Sequence, residues 1–174
     1  MSERQSKREQ FNEKSSSGKK LLIPIIVLVL VAVAVGGWFA FDQKTLGGHE
    51  VVQVGQDGKL HFASTDFADG KARFYRFEGN SGPIDFFVVR SQDGVIRTAF
   101  DTCDVCYRER KGYRQEGNDM VCNNCDQHFR TDLVNVVKGG CNPAPLKREL
   151  AGETVVITAN DLELGIGYFK TAVN

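Results

Sequence analysis

The sequence predicts a mainly β protein: an N-terminal transmembrane helix followed by one small β-rich domain with a two-knuckle cysteine metal site. Three observations predict it. Residues 21–41 form an unbroken uncharged run, LLIPIIVLVLVAVAVGGWFAF. Beyond it, short apolar stretches alternate with Gly- and Asp-containing turns. Finally, all five cysteines fall between positions 103 and 141, four of them as two C-x-x-C pairs.

The uncharged run is long enough, at 1.5 Å rise per residue, to cross a bilayer core of about 30 Å as a helix. Lys19 and Lys20 precede it, and Trp38, Phe39 and Phe41 close it. Aromatics favour the interface, and positive charge favours the cytoplasmic side. The chain of 174 residues therefore divides into a basic cytoplasmic tail (1–20), a transmembrane helix (21–41), a polar linker (42–49) and an extracytoplasmic domain (50–174). The alternative is a cleaved signal peptide, although the apolar run exceeds a usual h-region. Formal charge is balanced, but residues 1–20 hold six basic and three acidic residues. That leaves 16 basic and 19 acidic residues beyond position 20. A slightly acidic domain lacks the basic face that nucleic-acid binding requires, so no nucleic-acid partner is expected.

Within the domain, 50–54 and 59–63 flank Gly55-Gln56-Asp57-Gly58, which reads as a hairpin. The aromatic-rich stretch 71–77 reads as a strand, and 84–90 and 95–100 flank a second turn at Ser91-Gln92-Asp93-Gly94. In IDFFVVR, Ile84, Phe86 and Val88 fall on one face and Phe87 and Val89 on the other. Both faces are apolar, which predicts a central strand. Residues 153–159 read as a late strand, and 161–169 fit a short helix or a loop equally well. Most of the 12 phenylalanines are read as core packing.

The cysteines follow the pattern Cys103-x2-Cys106-x15-Cys122-x2-Cys125-x15-Cys141. A C-x-x-C turn points two sulfurs at one ion, and a second turn brought alongside supplies two more. Turn residues at 111–113 and 116–119 fit a hairpin joining the two knuckles. Soft thiolates select zinc, iron–sulfur centres or Cu(I) over magnesium or calcium. On spacing alone, a structural zinc ribbon is as good as an iron centre. Disulfides are the rival outside the cytoplasm, with one of five cysteines left over; a reactive dithiol is a third reading. Covalent haem requires C-x-x-C-H, and Tyr107 and Asp126 stand where the histidine would be. No Ser-His-Asp arrangement or H-E-x-x-H motif is evident. Cys141 follows Gly139-Gly140, which allow close backbone approach. It reads either as a buried thiol or as a fifth sulfur at the site. His128 lies three residues after Cys125 and reads as a surface residue or an added ligand. Nothing in the sequence ties His49 or His61 to the cysteines. Asp101 and Asp104 flank Cys103 and read either as plain solvent-exposed residues or as negative charge that would lower the potential of a redox centre there.

Four segments together resemble a known family: Ile96 to Cys106 (IRTAFDTCDVC), Lys111-Gly112-Tyr113, Met120 to Cys125 (MVCNNC) and Gly139 to Leu146 (GGCNPAPL). They are similar to the membrane iron–sulfur-containing proteins called FtrD-like, over roughly residues 50–170. The resemblance implies ligation by Cys103, Cys106, Cys122 and Cys125, with Cys141 as an additional cofactor-binding cysteine. The implied cofactor is an iron–sulfur cluster or mononuclear iron, with zinc or copper as alternatives. The implied partners are the membrane, an iron permease and periplasmic iron- or copper-binding proteins, and the implied role is electron transfer in iron uptake. One departure is Asp126, which stands where the family commonly has glycine after the second pair.

Overall fold

The computed structural model describes residues 45–46 and 48–170. The basic tail and the 21–41 run lie outside them. Among the described residues, no helix is long and apolar enough to cross a membrane.

The described region is mainly β. Its strands are β1 (Thr45–Leu46), β2 (His49–Val52), β3 (Lys59–Ala63), β4 (Arg73–Gly79), β5 (Gly82–Arg90), β6 (Ile96–Phe100), β7 (Tyr113–Glu116), β8 (Asp119–Cys122), β9 (His128–Arg130), β10 (Glu149–Ala151) and β11 (Thr154–Thr158). Two short helices, α1 (Ala159–Glu163) and α2 (Ile166–Phe169), follow. The strands form a five-stranded sheet in the order β1-β2-β4-β5-β6 and two three-stranded sheets, β10-β11-β3 and β7-β8-β9. The large sheet thus takes in Thr45–Leu46 and His49, which fall within the 42–49 stretch.

β5 is the hub. It pairs antiparallel with β4 from Arg73↔Val88 to Gly79↔Gly82, and with β6 from Phe86↔Phe100 to Arg90↔Ile96. As its sequence predicts, both faces are buried. Ile84, Phe86 and Val88 pack with Leu60 of β3, Val155 and Ile157 of β11 and Leu162 of α1. Phe87 and Val89 point the other way and pack with Ala99, Tyr113, Met120, Val134, Cys103 and Cys122. Each such side chain removed from water contributes about 1.5–3 kcal/mol. The cysteine region is therefore part of the second of two cores, one on each face of β5.

The predicted hairpin of 50–54 with 59–63 does not form. The turn is present, with Gly55 N–H donating to Lys59 O at 2.9 Å. However, β2 pairs parallel with β4, whereas β3 pairs antiparallel with β11 in another sheet. The six residues between them carry the chain from one sheet to the next, where the buried Leu60 joins the first core. Turn chemistry fixes the bend but not the partner strand. Residues 159–169 resolve into the two short helices. Thr158 caps the first, its Oγ1 accepting from Asp161 N–H at 3.0 Å.

Phe86→Ala and Phe87→Ala should each cost about 3–5 kcal/mol in chemical denaturation of the full chain. Only Phe87 lies on the cysteine side, so only its loss should also weaken metal retention, read by metal analysis after gel filtration.

Candidate metal centre

The first cysteine pair hangs from the end of β6. Asp101 N–H donates to Asp85 O at 2.9 Å, continuing the β5–β6 ladder for one more residue. The chain then turns through Thr102 to the buried Cys103. Cys106 N–H donates to Cys103 Sγ at 3.1 Å, closing the first knuckle. Beyond it, a 3₁₀ turn at Tyr107–Glu109 ends on Arg110, in the left-handed region at φ 52°.

The second pair sits at the end of β8, which forms the predicted hairpin with β7, Tyr113 opposite Cys122. Cys122 N–H donates to Gln127 O at 3.0 Å and Asp126 N–H to Cys122 O at 2.9 Å. Backbone N–H groups of Asn124 and Cys125 face the Cys122 sulfur, and that of Gln127 faces Cys125. The turn needs a left-handed residue, and Asp126 takes that conformation at φ 54°. Aspartate is one of the few residue types besides glycine that does so readily, so its presence here leaves the knuckle intact.

Cys141 arrives separately. Phe100 N–H donates to Ala144 O at 2.8 Å and Ala144 N–H to Thr102 O at 2.9 Å, with Ala99 bridged to Pro145. These bonds pin the 141–145 segment beside the residues that lead into Cys103. Gly139 and Gly140, at φ 86° and 63°, make the bend that precedes it.

All five cysteines are free. The sulfurs of Cys103, Cys106 and Cys122 lie within 4.8 Å of one another, and so do those of Cys106, Cys125 and Cys141. The four paired cysteines are thus split between two groups that meet at Cys106, and Cys141 is a full member of the second. Exposure rises across them: Cys103 and Cys122 are buried, Cys106 and Cys141 half-buried and Cys125 exposed. The Asn124 side-chain amide donates to Cys106 Sγ at 3.4 Å, tying the knuckles together. A cavity of about 10 Å³ opens among Cys103, Cys106, Cys122, Gly112 and Tyr113, the size of roughly one water-scale sphere.

The family model of the membrane iron–sulfur containing protein FtrD-like matches residues 67–169, more than half of the chain. The chain belongs to the FtrD-like family. No curated protein matches it. Among solved structures, the quaternary ammonium Rieske monooxygenase CntA aligns at 16% identity and a TM-score of 0.38, over 57% of this chain and 30% of that one. So slight a likeness carries no argument.

The thiols of this FtrD-like chain are electrostatically crowded. The Asn124 amide favours the Cys106 thiolate, but burial and the Cys125, Cys103 and Cys122 sulfurs outweigh it and push its pKa up to about 12. Burial pushes Cys122 up, and burial together with the Cys125 sulfur pushes Cys141 up. Cys125 shifts down, chiefly because it accepts the Gln127 N–H. Neighbouring like charges disfavour one another, so this many thiols cannot ionise together unaided. A soft cation among them removes that penalty as its binding displaces the protons. The donor set, sulfur without carboxylate, fits a thiophilic metal.

The site's frame is polar and buried. Asp101 is buried, 7% exposed, unlike its neighbour Asp104. Its Oδ1 accepts Tyr113 N–H at 2.7 Å and its Oδ2 meets His49 Nε2 at 2.9 Å. Burial pushes its pKa up, opposed by the His49 contact. Only glycine fits against it at 112. There φ is 62°, and an added Cβ would lie 2.3 Å from Asp101 Oδ2. Tyr113 then reaches across to donate its hydroxyl to Cys141 O at 2.6 Å. Asp104 is exposed as expected and accepts the Tyr168 hydroxyl at 2.6 Å, linking α2 to the first knuckle.

The histidines stand elsewhere. His128 is exposed, 3.3 Å from Asp119, and His61 pairs with Asp57 at 2.8 Å. Among the described residues, no histidine joins the cysteine groups. His49 supports the site through Asp101. Sequence reading missed this because the partners are 52 positions apart.

Gly112→Ala should cost more than about 1 kcal/mol from its backbone conformation alone, before the collision with Asp101 is counted. Tyr113→Phe should cost about 1 kcal/mol by orphaning the Cys141 carbonyl. Urea denaturation of each variant checks both values.

Proposed function

We propose that the chain is a membrane-anchored thiolate metal protein that passes electrons or metal on the extracytoplasmic side in an iron-uptake system. The observation that carries this reading is the gathering of five free sulfurs into two linked groups that run from core to surface. Membership of a family described as membrane iron–sulfur containing supports iron as the metal. Iron held by thiolates supplies one-electron chemistry whose potential responds to hydrogen bonds at sulfur and to exposure. Cys103, Cys106, Cys122 and Cys125 are the proposed ligands, with Cys141 beside them.

The chain's own residues do the rest. Phe87, Met120 and Tyr113 shield the inner sulfurs, while N–H groups of Cys106, Asn124, Cys125 and Gln127 face sulfur. Cys125 leaves one edge open to solvent, where a partner can approach. The uncharged 21–41 run, preceded by Lys19 and Lys20, supports a single span with the domain outside. An iron permease and periplasmic metal-binding proteins are the proposed partners.

Anaerobically purified full-length chain should contain iron and show thiolate absorbance bleached by dithionite. A colourless protein with stoichiometric zinc would replace the electron-transfer reading with a structural one. Cys106→Ser and Cys122→Ser should each lose most of the metal and lower the unfolding midpoint, because binding energy is also folding energy. Full metal content in both would refute a shared site.

A further inference from the structure

We infer that the five cysteines form a two-ion centre in which the Cys106 thiolate is shared between an inner seat, completed by Cys103 and Cys122, and an outer seat, completed by Cys125 and Cys141. This deepens the proposed function and rests on it. A single tetrahedral thiolate ion with bonds of about 2.3 Å needs four sulfurs all about 3.8 Å apart. The two C-x-x-C pairs do not provide that set. Cys125 falls outside the group made by Cys103, Cys106 and Cys122, although it touches Cys122, and the two groups share Cys106. Each group of three is close enough to close on its own ion. A thiolate has lone pairs for two metals, and Cys106 is the one sulfur placed to use them.

The seats are unequal. The inner one rests on buried Cys103 and Cys122, beside a cavity of about 10 Å³, room for roughly one water-sized sphere. The outer one ends on exposed Cys125 and half-buried Cys141. The inner ion is held as part of the core, and the outer ion is the one exchanged with solvent or a partner. Three sulfurs per seat suit a soft ion content with three ligands, of which Cu(I) is the plainest case. Cu(I) is therefore the probe.

The experiment titrates reduced, metal-free, full-length chain with Cu(I) under anaerobic conditions against a chromogenic Cu(I) chelator, with circular dichroism as the check on folding. The wild-type chain should take two equivalents. Cys125→Ser and Cys141→Ser, both on the exposed side, should each take one, the retained affinity staying within about threefold of the tighter wild-type site. Cys106→Ser should hold neither equivalent at wild-type affinity. Saturation of the wild type at one equivalent, or two equivalents in either surface variant, overturns the shared-thiolate centre and leaves the thiolate-metal reading standing. A wild type that takes up none overturns both.

Discussion

Everything in the domain follows from a strand that has no polar face. β5 carries large apolar side chains on both sides, so water must be kept from both. One side is covered by the β10-β11-β3 sheet and α1, the other by the β7-β8-β9 sheet and the cysteine loops. Burial at this strand accounts for the position of the sulfurs. Cys103 and Cys122 are packed against Phe87 and Val89 as hydrophobic residues before any metal is considered. Free cysteine buries well, which makes it a suitable residue for a ligand that must also close a core.

A second constraint sits at Asp101. A buried carboxylate is costly unless its oxygens are satisfied. Here one oxygen takes the Tyr113 backbone and the other meets His49, with bare Gly112 backbone filling the space beside it. The same carboxylate thus anchors the start of β7 and the start of β2, and Tyr113 carries the linkage on to the Cys141 carbonyl. Support for the sulfur cluster accordingly comes from residues in three separate stretches of chain.

Much of this was legible in the sequence. Apolar stretches and turn residues located β2, β3, β4, β5, β6 and β11, and the apolar faces of IDFFVVR marked the central strand. C-x-x-C spacing located the knuckles. Other features depended on distant partners. The β2–β3 turn is real, but which sheet receives each strand depends on Tyr75 and Val156, far along the chain. Asp101 read as exposed because the histidine that compensates its burial lies 52 residues earlier. Spacing located the two C-x-x-C pairs, while the arrival of the fifth cysteine beside them depends on backbone bonds between Thr102, Phe100 and Ala144. Helices of four or five residues, such as α1 and α2, leave too few turns for periodicity to register.

The gradient of exposure has a chemical cost. Oxidants in the surrounding fluid meet Cys125 long before they reach Cys103 or Cys122. An accessible thiolate is the first to climb to sulfenic acid, and a neighbouring thiol turns that into a disulfide. Cys106 and Cys141 both lie close enough to Cys125 to serve as that neighbouring thiol. Cys125 is thus the sulfur at which oxidation of the group would begin.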